Sequence, residues 1–197
     1  MCFFTLFEGY DLLIINLALP YLGVDFSVDS ETLGTAVGLI NVGTIVAFIP
    51  VRLADRFGRR AIFLTAVSGY TLFTFLSAFS VGLYDSVAYQ FCARMFMVTE
   101  ISIAAIILTE EMPARYRCVA VTLMFALSLA GGILGSAVFP YVVDTQFGWR
   151  TLYILGAIAA PVLLFYWSKL RETRRFQSDS VGEDEVPLLQ SFQALKI

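Results

Sequence analysis

Five polar side chains lie where a hydrocarbon solvent tolerates them least. Glu8 and Asp11 interrupt the apolar run Phe3 to Leu22, Asn16 follows Asp11 by five residues, and Arg94 and Glu100 interrupt the run Tyr84 to Thr109. Glu8 and Asp11 are three residues apart and so share one face of a helix. Placing even one such charge at the centre of a bilayer costs about 2.5–3.5 kcal/mol on insertion scales. Neither acid is therefore expected to face lipid, although Glu8, a turn or so from the start, could also sit solvated at an interface. Arg94 and Glu100, six positions apart, are offset by roughly 120° around a helix and roughly 9 Å along it, which makes them a poor pair within one helix. Each needs another partner or a wet cavity, and an acid on the first segment is the natural candidate. Acids that take up and release protons, next to a base that binds anions, offer proton exchange and anion binding. Two plainer readings stay open: Arg94 as a member of a buried structural ion pair, and Asn16 as a hydrogen bond between helices.

The elements that must hold these groups follow from composition. The chain is 58% hydrophobic and 15% charged, with a mean hydropathy of +0.79, well above the apolar share of about 45–50% usual in soluble domains. This is the composition of a polytopic membrane protein. Six apolar segments are expected: Phe3 to Leu22, Glu31 to Val51, Ala61 to Leu83, Tyr84 to Thr109, Cys118 to Val142 and Trp149 to Trp167. Each is near the roughly 20 residues that cross a bilayer. The loops Gly23 to Ser30 and Gly82 to Ser86 carry no Lys or Arg. Arg52 to Arg60, Glu110 to Arg117 and Lys169 to Arg175, on the opposite side, hold ten of the 13 basic residues. That bias places both termini in the cytoplasm of a plasma or inner membrane protein. With a net charge of -3 and no basic patch, nucleic acid is not an expected partner. Cys2, Cys92 and Cys118 have no spacing suited to zinc or to a disulfide framework. There is no histidine, no nucleophile with a base and no phosphate-cradling glycine loop. No metal, cofactor, ATP-driven pumping or enzymatic activity is expected of this chain.

The densest charge cluster is Arg52-Leu-Ala-Asp-Arg-Phe-Gly-Arg-Arg60, four arginines and one aspartate in nine residues. It reads as a short charged turn at the membrane surface, reversed at Gly58. Leu53-Ala-Asp-Arg-Phe-Gly-Arg-Arg60 resembles the loop between helices 2 and 3 of the major facilitator superfamily, with Val51 where that signature usually opens on glycine. The resemblance implies that Asp55, Arg56 and Arg59 belong to a charge network that holds two transporter halves in one of their alternating states. Glu8-Gly-Tyr-Asp11 resembles the Asp-Gly-Tyr-Asp stretch in helix 1 of the aromatic-acid/proton symporters of that superfamily, whose acids serve proton coupling and transport. Arg94 matches the helix 4 arginine of a second motif, but the glycines expected four and six residues later are Val98 and Glu100. Glu110-Glu-Met-Pro-Ala-Arg-Tyr-Arg117 and Leu170-Arg-Glu-Thr-Arg-Arg-Phe176 resemble elements that follow helices 4 and 6 in sugar and organic-ion porters. They add Glu111 or Glu110, Arg115, Arg117, Glu172 and Arg175 to the cytoplasmic network.

The expected fold is thus an all-α membrane protein of six transmembrane helices, arranged as a 3+3 inverted repeat, one half of a major facilitator fold. Residues 1–176 form the helical half. Residues 177–197, with the acidic run Glu183 to Glu185, form a cytoplasmic segment of the central loop, so a C-terminal six-helix half is the expected partner together with the lipid bilayer. Gly34 and Gly38 in the second segment, and Gly131, Gly132 and Gly135 in the fifth, let helices approach closely. They serve either the other half or packing within this one.

The resemblance implies secondary transport of a small organic solute, with proton-coupled symport of an organic acid, aromatic acids included, as its sharpest form. The substrate and proton site candidates are Glu8, Asp11, Asn16, Arg94 and Glu100, with Asp11 or Glu100 as the seat of the proton. A sugar or metabolite porter, an exporter, and a truncated half that does not transport are the alternatives. Reporter fusions at Ser30, Asp85 and Gln146 are expected outside and those at Gly58, Ala114 and Asp179 inside. A single reversed loop would contradict the six-helix topology.

Overall fold

The computed structural model describes residues 2–143, 145 and 147–157, with side chains from residue 5 onward. Its helices are α1 (Cys2–Asp25), α2 (Ser30–Val46), α3 (Phe48–Phe57), α4 (Arg59–Ser77), α5 (Leu83–Glu111), α6 (Arg117–Val143) and α7 (Arg150–Gly156). No strand occurs among the described residues. Four stretches are long and apolar enough to cross a membrane: Ser30–Phe57, Arg59–Ser77, Leu83–Glu111 and Arg117–Val143. The 24 residues of α1 are also long enough, at about 36 Å, and α7 is the start of the sixth expected segment. The later part of that segment, the expected linker, Glu172 and Arg175 lie outside the described residues.

Two expectations are corrected. Arg52 to Arg60 is not a loop, because the second segment continues as helix α3 to Phe57 and α4 begins at Arg59. The reversal is confined to Gly58, at φ 91° and ψ 139°, a left-handed backbone conformation that glycine takes without a steric penalty. The break between α2 and α3 falls at Ala47, three residues before Pro50. Proline has no N–H to give the carbonyl four residues back, and its ring crowds that carbonyl. The third segment is also shorter than expected, since α4 ends at Ser77 and the chain turns before Gly82.

Two apolar clusters cap a polar middle. At one end Ala54 of α3, Phe63, Leu64 and Val67 of α4, Ile103 and Ile107 of α5, and Met124 of α6 pack together. At the other, Ile14, Ala18 and Leu22 of α1 meet Ala78 just beyond α4 and Trp149, Leu152 and Tyr153 at α7. Between them α4 turns polar, with Tyr70, Thr71, Thr74 and Ser77 all buried. The outer edge of the second cluster is pinned by Asp25, which accepts hydrogen bonds from Trp149 Nε1 at 2.8 Å and Arg150 Nη1 at 3.3 Å, while the Arg150 guanidinium lies 4.4 Å above the Trp149 ring.

The glycines divide by use. A side chain at Gly9 would run into the backbone of Ser128, and one at Gly131 into the Leu6 carbonyl, so α1 and α6 touch backbone to backbone. Gly43 faces the Phe91 carbonyl of α5 less tightly, though a side chain there would still come within 2.7 Å of it, whereas Gly34 and Gly38 look onto open space. Packing within the chain therefore accounts for the glycines of α6, and Gly34 and Gly38 remain on a free face. Gly9→Ala is expected to destabilise the purified complete protein by about 1–3 kcal/mol or more through overpacking, read as a lower thermal unfolding midpoint. Gly34→Ala, at a position where nothing in this chain lies within 4 Å, is expected to lower it far less.

Candidate functional site

Asp11 is held by α4. Its Oδ2 accepts hydrogen bonds from the Tyr70 hydroxyl at 2.6 Å and the Thr74 hydroxyl at 3.0 Å. Tyr70 and Thr74 are four apart and so share one face of α4, which is why a single carboxylate oxygen meets both. The other oxygen, Oδ1, is buried without a hydrogen-bond partner among the described residues and points at Gly156 of α7, where a side chain would come within 2.7 Å of it. The bare glycine gives the acid its room.

Arg94 approaches from α5. Its Nη2 donates to Asn41 Oδ1 of α2 at 2.9 Å, while Nε is buried with no partner among the described residues. Asp11 and Arg94 line the same small cavity, together with Ile40, Tyr70, Gln90 and Met97. At about 20 Å³ it has room for roughly one water. Gln90 is anchored by donating from Nε2 to Ser77 Oγ at 2.9 Å.

Glu8 and Glu100 also lie inside, each 1% exposed. Glu8 Oε1 and both oxygens of Glu100 have no hydrogen-bond partner among the described residues. Glu8 feels the charges of Glu100 and Arg94, and Tyr70 those of all three acids. Asp11 and Arg94 thus share a cavity, and Glu8 and Glu100 are buried on the same two helices, α1 and α5. Asn16 does not join them. It is exposed, and its Nδ2 donates to the Leu12 carbonyl of its own helix at 3.0 Å. Among the described residues it makes no hydrogen bond between helices, since one amide N–H returns to its own backbone.

At the charged end, Arg59 bridges Asp55, at 3.5 Å, and Glu110. Arg59 and Glu110 are 17% and 12% exposed, whereas Asp55 is 73% exposed. The Arg59–Glu110 pair is thus the more enclosed member of this group. Arg56 lies 5.8 Å from the Phe57 ring centroid and Arg115 5.7 Å from that of Tyr116, and Arg117 Nε donates to the Met112 carbonyl at 3.1 Å. The sequence leaves Glu110 and Glu111 as alternatives, and the ion pair with Arg59 is made by Glu110.

Tyr70, Thr74, Asn41 and Gln90 do not stand out in the sequence. One signal is available for two of them: Tyr70 and Thr74 place polar groups four apart within an apolar segment. Asn41 and Gln90 become meaningful only once α2 and α4 are known to pack against α5.

An all-helical bundle with membrane-length apolar helices and an interior lined by carboxylates and a guanidinium defines an integral membrane protein with a polar core. Residues 1–197 match the Major Facilitator Superfamily, and the chain belongs to that family, one of transporters and not of enzymes. It is similar to a 4-hydroxybenzoate transporter, PcaK, of Pseudomonas aeruginosa, 30% identical over 186 residues that cover 89% of this chain and 40% of that protein. A gallate transporter of Pseudomonas putida is 26% identical over 179 residues, again covering 89% and 40%. In fold it is similar to the inward-open xylose transporter XylE of E. coli, with a TM-score of 0.79 at 19% identity, covering 98% of this chain and 52% of that one. The chain spans less than half the length of these two curated relatives.

Breaking one partner of a buried ion pair leaves the other charge unpaired, at about 3–5 kcal/mol, whereas replacing both can be near neutral. Arg59→Gln and Glu110→Gln are each expected to lower the unfolding midpoint of the complete protein, and the double variant to recover much of the loss. Additive losses in this cycle would show that the pair is not coupled.

Proposed function

We propose that this chain is the first half of a secondary transporter that carries a small organic acid together with protons, by alternating access around the Asp11–Arg94 region. The observation that carries this reading is the shared cavity. A guanidinium with an unpartnered buried Nε faces it alongside a carboxylate held by two hydroxyls. A partly buried guanidinium recognises a carboxylate through charge-assisted hydrogen bonds, and a membrane carboxylate beside it is a natural proton carrier. The relatives whose names specify 4-hydroxybenzoate and gallate, both aromatic carboxylates, support an aromatic acid as substrate. Room for about one water cannot hold such a molecule, so substrate entry belongs to another state of the cycle.

In this reading residues 1–176 form the six-helix half as a 3+3 repeat, and residues 177–197 begin the central cytoplasmic loop. Both termini lie in the cytoplasm, in a plasma or inner membrane, and a second six-helix half completes the site. Glu8, Asp11, Arg94 and Glu100 are the substrate and proton groups. Asp55, Arg56, Arg59, Glu111, Arg115, Arg117, Glu172 and Arg175 serve the conformational charge network, joined by Glu110. The strong exposure of Asp55 beside the buried Arg59 suits a group that meets the other half in one state and releases it in the next.

The test is uptake of 4-hydroxybenzoate into vesicles that contain the complete protein, under an imposed pH gradient. A hydrogen bond to a charged group is worth about 1.5–3 kcal/mol, so Arg94→Lys is expected to weaken apparent affinity by about 10- to 100-fold. Asp55→Asn is expected to slow transport with expression near normal. Undiminished uptake by Arg94→Lys, or equal uptake of xylose by the parent protein, would overturn the organic-acid reading.

A further inference from the structure

Among the described residues no carboxylate forms an ion pair with Arg94. The acid that shares its cavity, Asp11, spends Oδ2 on the Tyr70 and Thr74 hydroxyls, and Glu8 and Glu100 do not line that cavity. Arg94 is met by an amide instead: its Nη2 donates to Asn41 Oδ1 at 2.9 Å. A guanidinium has donors and no acceptor, so the amide must present its oxygen. The contact orients the side chain and leaves its positive charge uncancelled. It is built into the way α2 meets α5. Two residues after Asn41, Gly43 is buried against α5, where a side chain would come within 2.7 Å of the Phe91 carbonyl and 3.5 Å of Arg94 Cβ. Ile40, beside Asn41, lines the cavity that Arg94 lines. The bare glycine sets α2 close enough for a side chain as short as asparagine to reach the guanidinium.

We propose that Asn41 is a positioning residue that sets the charge preference of the site: it holds Arg94 with a neutral acceptor, so that the compensating negative charge comes from the ligand's carboxylate. A charge in poorly solvated surroundings is costly until it is paired. Here the pairing is left to a second molecule. An aspartate at this position, the same in shape, would form the pair inside the chain, and an arriving carboxylate would meet a guanidinium already neutralised. In the organic-acid transporter proposed above, on which this role rests, asparagine rather than aspartate at position 41 makes the site one for anions.

Equilibrium binding of benzoate and of benzamide to the purified complete protein, followed by calorimetry at neutral pH, where benzoate is charged and benzamide is not, tests this role. The parent is expected to prefer benzoate. The isosteric Asn41→Asp is expected to weaken benzoate by about 10- to 100-fold, the range of a hydrogen bond to a charged group, and to leave benzamide little changed, so that the preference collapses. Asn41→Ala frees the guanidinium without neutralising it, and is expected to weaken benzoate while keeping it ahead of benzamide. An Asn41→Asp protein with the parent's preference, or an Asn41→Ala protein that binds benzoate as the parent does, would overturn the proposal and leave the organic-acid reading standing. Equal weakening of both ligands by Asn41→Asp, the mark of a merely structural role, would do the same. A parent that binds benzamide as well as benzoate, or binds neither, would overturn both. Should Asn41→Asp fail to fold, Asn41→Ala still decides.

Discussion

An acid inside a membrane bundle must be given donors, an opposite charge or a proton, and the middle of this chain is arranged around that constraint. Asp11 receives two hydroxyls from one face of α4 and space from Gly156 on α7. Those contacts fix how α1, α4 and α7 sit against one another. Arg94, on α5, lines the same cavity, is steadied by Asn41 of α2 and keeps one buried donor unspent among the described residues. Without the polar layer, α4 would have no reason to bury Tyr70, Thr71, Thr74 and Ser77 between two apolar clusters.

The two ends of the bundle are closed by different means. At the arginine-rich end, Arg59 and Glu110 join α4 to α5 across the apolar cluster of Phe63, Val67, Ile103 and Met124. At the other, Asp25 gathers Trp149 and Arg150. Along the length, glycine does what side chains cannot, bringing α1 onto α6 at Gly9 and Gly131. Lipid supplies no hydrophobic drive between helices, so such close backbone contact and satisfied polar groups are what hold them together.

Much of this architecture is legible in the amino-acid sequence. Apolar runs and loop charges mark the membrane helices, and the cost of burying Glu8, Asp11, Arg94 and Glu100 places all four inside. Residues whose meaning depends on a neighbour are harder to read. Asn16 has the look of a fifth member, but spacing along one helix does not say whether a side chain reaches across or bonds back to its own carbonyl. The arginine cluster has the look of a loop because charge resembles a surface turn, although helix persists to Phe57 and the reversal needs Gly58 alone. Pro50 carries a local signal of the kink at Ala47. Tyr70 and Thr74 can be suspected as a polar face, yet the carboxylate they hold lies 59 and 63 residues away in the chain, beyond any local pattern.

The central claim is that the acid held between α1 and α4 couples proton movement to that of an organic anion. Proton flux into sealed vesicles that contain the complete protein, followed with an entrapped pH-sensitive dye as a carboxylate probe is added outside, tests it most directly. The account predicts lumenal acidification that depends on the probe and on the protein and that disappears in Asp11→Asn, while the folded yield is kept. Carboxylate entry with no accompanying proton flux, or an Asp11→Asn protein that acidifies the lumen as the parent does, would contradict it.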